Sequence, residues 1–241
     1  MTTALDELHS GVAPRDDGPL QSLLYSWAAA RGRRKRLPFA QERLLESVNA
    51  TLCLNRTQRT RSLDWSIKKF QDVKGRLGLI GFVKAETISR GTGRPETYLV
   101  LTDDGYRYLR SIRVKENRPH GSLEHHCSIQ WLQHFYRQMG FKVSTTHKLA
   151  LGLIVDLLCS KDDETIAIEV VHSDNLYRDA KKAGQLAKHV SRICFVATTK
   201  DLFSRYDSKL PALLPDSARD KVHFAVRDEL IAQGGDGAED H

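Results

Sequence analysis

Apolar positions recur at two intervals along this chain, and the change from one to the other marks its elements. Phe39, Leu44, Leu45 and Val48 repeat as one helix face, and residues 56–61 predict a short helical turn. Leu63, Ile67, Phe70 and Leu77 predict a helix over 63–77 whose outward side carries Trp65, Lys68, Lys69, Asp72 and Arg76. Gly78 stops it. Residues 79–88 and 96–101 then alternate as two strands around the segment SRGTGRP at 89–95, and Thr102, Asp103, Asp104 and Gly105 open another helix.

The second half runs in a different order. Leu123, Cys127, Trp131, Phe135 and Met139 return every four residues and predict a helix over 122–139, stopped by Gly140. Strands are expected at 141–147, 151–159 and 165–172, a helix at 174–190, and a short buried strand at 192–198. In that helix Leu176, Ala180, Ala183, Ala187 and Val190 make the apolar stripe, with Arg178, Lys181, Gln185 and Lys188 opposite. The change of pattern at 115–121 predicts a linker between two domains, within what 241 residues allow.

Asp156 and Glu169 interrupt otherwise apolar strands. Thr165, Ala167, Glu169 and Val171 share one strand face, and if the strands pair as a hairpin through Lys161, Asp162, Asp163 and Glu164, both carboxylates project toward one region. Two like charges there repel unless a cation neutralises them. Magnesium takes oxygen ligands from one or two carboxylates plus a substrate phosphate, so a divalent ion and phosphodiester chemistry are expected. The neighbouring Glu124, His125 and His126 make poor joint zinc ligands, because adjacent helical residues point about 100° apart.

The order helix, three strands, helix, strand, with Glu124, Asp156 and Glu169 in it, resembles the PD-(D/E)xK, or restriction-endonuclease-like, nuclease superfamily over roughly residues 120–230. The resemblance implies an α/β domain with a central mixed sheet flanked by helices and a magnesium- or manganese-dependent site. It implies Glu124, Asp156 and Glu169 as metal ligands and catalytic residues. The motif lysine expected two residues after Glu169 is Val171 here. Some families in the superfamily recruit a substitute from the following helix, and Lys181 and Gln185 are the candidates for that role.

Residues 1–118 hold 22 Lys and Arg against 13 Asp and Glu, and residues 119–241 hold 15 against 17, so the chain's net charge of +7 resides in its first half. Such asymmetry points to a polyanion-binding module. The helices, the two strands and the phrase GRPETYLVLTDDGYRYL over residues 37–118 resemble an α+β winged helix-turn-helix domain. That resemblance implies DNA contact by Lys68, Lys69 and Arg76 from the helix before the strands, and by Arg90 and Arg94 from the wing. Arg33, Arg34, Lys35 and Arg36 belong to a basic run that is expected to lie on DNA as an arm.

Residues 1–36 are read as a flexible segment with a short helix at 20–30 before that run, and residues 231–241 as a disordered acidic tail. No apolar run approaches a membrane span and no signal segment precedes the first helix, so a cytoplasmic location is expected, nucleoid-associated if the source is bacterial. Cys53, Cys127, Cys159 and Cys194 form no CxxC pair, and no phosphate-binding GxxxxGK loop or small-molecule cofactor motif is present.

Two functions fit these features. The leading expectation is a metal-dependent DNA endonuclease, for which cutting both strands together would need a homodimer or two binding events. The other is a noncatalytic DNA-binding regulator, or a replication or mobile-element maintenance factor, with a degenerate nuclease fold. Proteins of the replication-relaxation type also resemble a winged helix followed by a nuclease-like core.

Overall fold

The structure is a computed structural model and describes residues 36–88, 95–119, 121–149 and 152–234. It comprises an N-terminal helical region followed by a mixed β-sheet flanked by helices, in two compact units, the first holding residues 36–87 and 97–118 and the second residues 119 onward together with 88, 95 and 96. Arg33, Arg34, Lys35, Arg90 and Arg94 lie outside the described residues, as does the helix expected at 20–30.

In the first unit, α1 (Phe39–Ala50), α2 (Arg56–Leu63) and α3 (Ile67–Leu79) precede the antiparallel pair β1 (Val83–Ile88) and β2 (Glu96–Leu101), and α4 (Asp103–Ser111) closes it. Leu44, Leu45, Val48, Phe70, Leu77, Leu101 and Leu109 make its core. The helix expected over 63–77 begins only at Ile67, and Leu63 instead ends the short helix before it. Asp64 adopts φ 55° and closes α2, and the Ser66 hydroxyl accepts the Lys69 N–H to cap α3. The break reverses two assignments made from spacing: Trp65 turns into the core and Ile67, at the start of α3, is 59% exposed.

Asn55 and Gln58 exchange side-chain and backbone hydrogen bonds as a capping box for α2. Arg59 belongs to the structure rather than the basic surface. Its side chain is buried and donates to Ser47 Oγ and the Thr51 carbonyl at 3.0 and 2.7 Å, and burial lowers its pKa to about 10. The linker is bonded to its own unit: Asn49 donates to the Lys115 carbonyl and accepts from the Asn117 N–H, both at 2.8 Å.

Gly105 stands where α4 begins, and a β-carbon there would press against the Phe82 carbonyl oxygen. Gly105→Ala is therefore expected to destabilise this unit by about 2 kcal/mol, within the range for overpacking. A chemical-denaturation curve measures it, and an unchanged midpoint would contradict the close approach.

The second unit opens with α5 (Leu123–Gln138), then β3 (Lys142–Lys148), β4 (Ile154–Lys161) and β5 (Glu164–Val171) as an antiparallel meander. After α6 (Leu176–Leu186), β6 (Arg192–Ala197) pairs parallel to β5. Then α7 (Lys200–Leu213) and α8 (Asp216–Arg219) lead to β7 (Val222–Val226), parallel to β6, and to α9 (Arg227–Gly234). The sheet order is β3-β4-β5-β6-β7.

Residues 231–234, expected in a disordered tail, thus end a helix. One face of the sheet buries Ala167, Val171 and Phe195 with Ala183 and Leu210 from the helices, and the other buries Ile166, Ile168 and Val170 with Leu132 and Tyr136 of α5. The buried side of α5 thus runs through Leu132 and Tyr136, and Met139, expected inward, is half exposed. Among the described residues, no helix is long and apolar enough to cross a membrane.

Candidate functional site

The β4–β5 ladder ends at the pair Leu157 and Ile168, so the next residue on each strand is Asp156 and Glu169. The hairpin expected from the sequence does bring these carboxylates together, and the cations that answer their repulsion are side chains of the protein. Lys182, on α6, places Nζ 2.6 Å from Glu169 Oε1. His125, on α5, places Nε2 3.4 Å from Asp156 Oδ1, while Asp156 Oδ2 accepts the Val170 N–H at 2.8 Å.

Electrostatics separate the two acids. Burial pushes Glu169 up to about 7, against the pull of Lys182. Burial also acts to raise Asp156, but hydrogen bonds from His125 and Val170 overcome it and hold that carboxyl below its ordinary value. The same bond raises His125 against the opposing effect of burial, and His125 Nδ1 is buried without a hydrogen-bond partner.

His172 stacks on the His125 ring with centroids 4.8 Å apart, and its partial burial and the neighbouring His125 lower its pKa. The turn that carries His172 is anchored from below. Tyr206 Oη donates its proton to Asp179 Oδ2 at 2.6 Å, lies 3.3 Å from the Ser173 carbonyl oxygen and accepts the Asn175 N–H.

Glu124 has a different partner. Arg227, fully buried at the start of α9, donates to Glu124 Oε1 at 2.9 Å, to Asp228 Oδ1 at 2.7 Å and to Ser128 Oγ at 3.2 Å, with its guanidinium over the Trp131 ring. Each of the three acids therefore has a cation of its own.

This overturns the expected magnesium or manganese site. Among the described residues, no group of three or more His, Cys, Asp or Glu side chains could hold a metal ion, so Glu124, Asp156 and Glu169 are not a metal-ligand set here. The physical reason is the pairing itself: Arg227 engages Glu124, while His125 and Lys182 pair with the other two. Lys181 and Gln185 are exposed on α6, and the residue that reaches Glu169 is their neighbour Lys182.

Lys182 was missed because the apolar stripe divides α6 into faces and Lys182 stands at the seam, one residue from buried Ala183 and three from buried Asp179. Arg227 carried less signal. Only its position directly after the strand VHFAV set it apart from a surface arginine.

Lys68, Lys69 and Arg76 are exposed on α3, with Lys69 Nζ 4.9 Å from the centre of the Trp65 ring, and Arg36 is exposed ahead of α1. No protein-family model, curated protein or solved structure matches the chain.

Proposed function

We propose that this chain is a noncatalytic DNA-binding protein, a regulator or a replication or mobile-element maintenance factor. In this reading the first unit is a winged helix-turn-helix domain and the second a restriction-endonuclease-like fold that does not cut. The observation that carries it is the outer face of α3. Lys68, Lys69 and Arg76 stand exposed there, and none has a carboxylate within ion-pair distance among the described residues. Unpaired cations on a helix that precedes a two-stranded hairpin suit contact with duplex phosphates.

The paired acids of the second unit support the noncatalytic half. A carboxylate already matched to a buried or half-buried cation is poorly placed to gather charge from a substrate. Lys182 nevertheless stands beside Glu169, so the reading makes a definite claim about cleavage. Supercoiled plasmid incubated with the protein and magnesium or manganese is expected to stay intact. Nicking that disappears in Lys182→Ala would overturn it.

Binding has its own test. Wild-type protein is expected to retard duplex DNA, with affinity falling steeply as salt rises. Replacing Lys68, Lys69 and Arg76 together by alanine should reduce the slope of log affinity against log salt by about 3, roughly one for each phosphate no longer neutralised. An unchanged slope would remove α3 from the interface.

A further inference from the structure

Phe39 repeats with Leu44 and Val48 in the sequence, yet the structure turns it outward. At about 100° per residue it stands about 140° from Leu44 and about 180° from Val48 around α1, and it is 78% exposed. Its mount is fixed. Leu37 is buried and its N–H donates to Tyr108 Oη at 2.8 Å, while that hydroxyl donates to Glu42 Oε1. The Pro38 carbonyl accepts the Gln41 N–H at 2.8 Å in the first turn of the helix. An anchored backbone thus holds a large apolar ring out in water.

The surroundings of the ring are basic. Pro38 and Ala40, on either side of Phe39 in the chain, line a groove with Lys68, Lys69 and Arg76 of α3, and Arg36 is exposed just ahead of them. Asp72 is the one carboxylate in that lining. Ile67, 59% exposed, stands between Ser66 and Lys68 of the same lining, so each wall carries an apolar side chain facing solvent.

We propose that Phe39 stacks on an unpaired base beside the duplex held by α3, so that the first unit binds the junction of a duplex with a single strand. Every base has a π-face, and an exposed aromatic ring among cations holds unpaired bases with little regard to sequence. Magnitudes select the unpaired base over an intact pair. Prising open a paired step costs about as much as one ring regains by stacking, and at a junction that cost is absent. The inference rests on the DNA-facing reading of α3 and names the DNA structure that reading leaves open.

Fluorescence anisotropy of the full chain with DNAs of equal duplex length tests this: blunt, with a 5′ overhang, with a 3′ overhang, and with each overhang's first nucleotide made abasic. One overhang is expected to bind about tenfold more tightly than the blunt duplex, and the abasic replacement, which keeps every phosphate, to erase that margin. Phe39→Ala should bring the junction to the blunt level while leaving blunt affinity within about twofold, and Phe39→Trp should keep the margin. In Phe39→Ala the abasic replacement should have no further effect, because ring and base act as one pair. Phe39 stands outside the core, so its variants are expected to keep the wild-type melting temperature.

Equal affinity for the blunt duplex and both overhangs would overturn the proposal, as would a margin that survives Phe39→Ala or loss of the base. A dimer that Phe39→Ala dissociates, with no margin for either overhang, would overturn it by assigning the ring to a second copy of the chain. Blunt-duplex binding separates these results from failure of the reading beneath. A protein that binds blunt duplex without a margin loses only the junction, and one that binds no DNA loses both.

Discussion

Arg227→Ala is expected to destabilise the protein by about 3–5 kcal/mol, the range for removing one member of a buried ion pair. The guanidinium is the only cation joined to both Glu124 and Asp228 among the ion pairs of the described residues, and it also fills space over Trp131. The substitution therefore leaves Asp228, nearly buried, without compensation, together with a cavity. Arg227→Met should recover part of the packing and none of the charge. Urea denaturation of the three proteins measures the difference, and a loss below about 1 kcal/mol, the level of an exposed pair, would sink the assignment.

The second large effect is a dependence on pH. Glu169 carries a folded pKa of about 7 against an ordinary 4.5, chiefly through burial. Below pH 4.5 both folded and unfolded chains hold that proton and the site costs nothing. As pH rises from 4.5 to 7 the unfolded chain loses the proton first, so stability falls, by about 3 kcal/mol once pH exceeds 7.

His125 acts in the same direction. Asp156 raises its folded pKa, so the stabilisation it contributes is complete below pH 6.5 and disappears as pH climbs through the raised value. Glu169→Gln, which imitates the protonated acid, is expected to remove the larger part of this decline and to make the protein more stable than wild type at pH 8. Thermal melts of both proteins from pH 5 to pH 8 measure it. A wild-type curve that rises across that interval would show that Lys182 outweighs burial and holds Glu169 ionised.

The order of elements was legible as far as β6, including the hairpin that brings Asp156 beside Glu169, whereas α7, α8, β7 and α9 were not expected from the sequence. The break between α2 and α3 was expected a few residues too early: Leu63, Phe70 and Leu77 keep helical spacing, but Asp64 in a left-handed conformation ends α2 after Leu63.

The composition of the site was half legible. Two carboxylates side by side demanded a cation, and the sequence could not say that His125 and Lys182 would provide it. Those partners come from helices 31 and 13 residues away from the acids they face, which periodicity within one element does not reach. Arg59 and Arg227 show the same limit. In a basic chain both read as surface charge, yet both are buried among hydrogen-bond acceptors.

Glu169 lies on the central strand of five, held antiparallel to β4 on one side and parallel to β6 on the other. Amide protons along such a strand have no local route to solvent and exchange when the whole unit opens. A change of charge at Glu169 is consequently felt by the most slowly exchanging part of the sheet, with the outer strand β3 as its freely breathing margin. Protonation of this one side chain is thus expected to show in the slowest-exchanging amides of the sheet, where hydrogen exchange measures it.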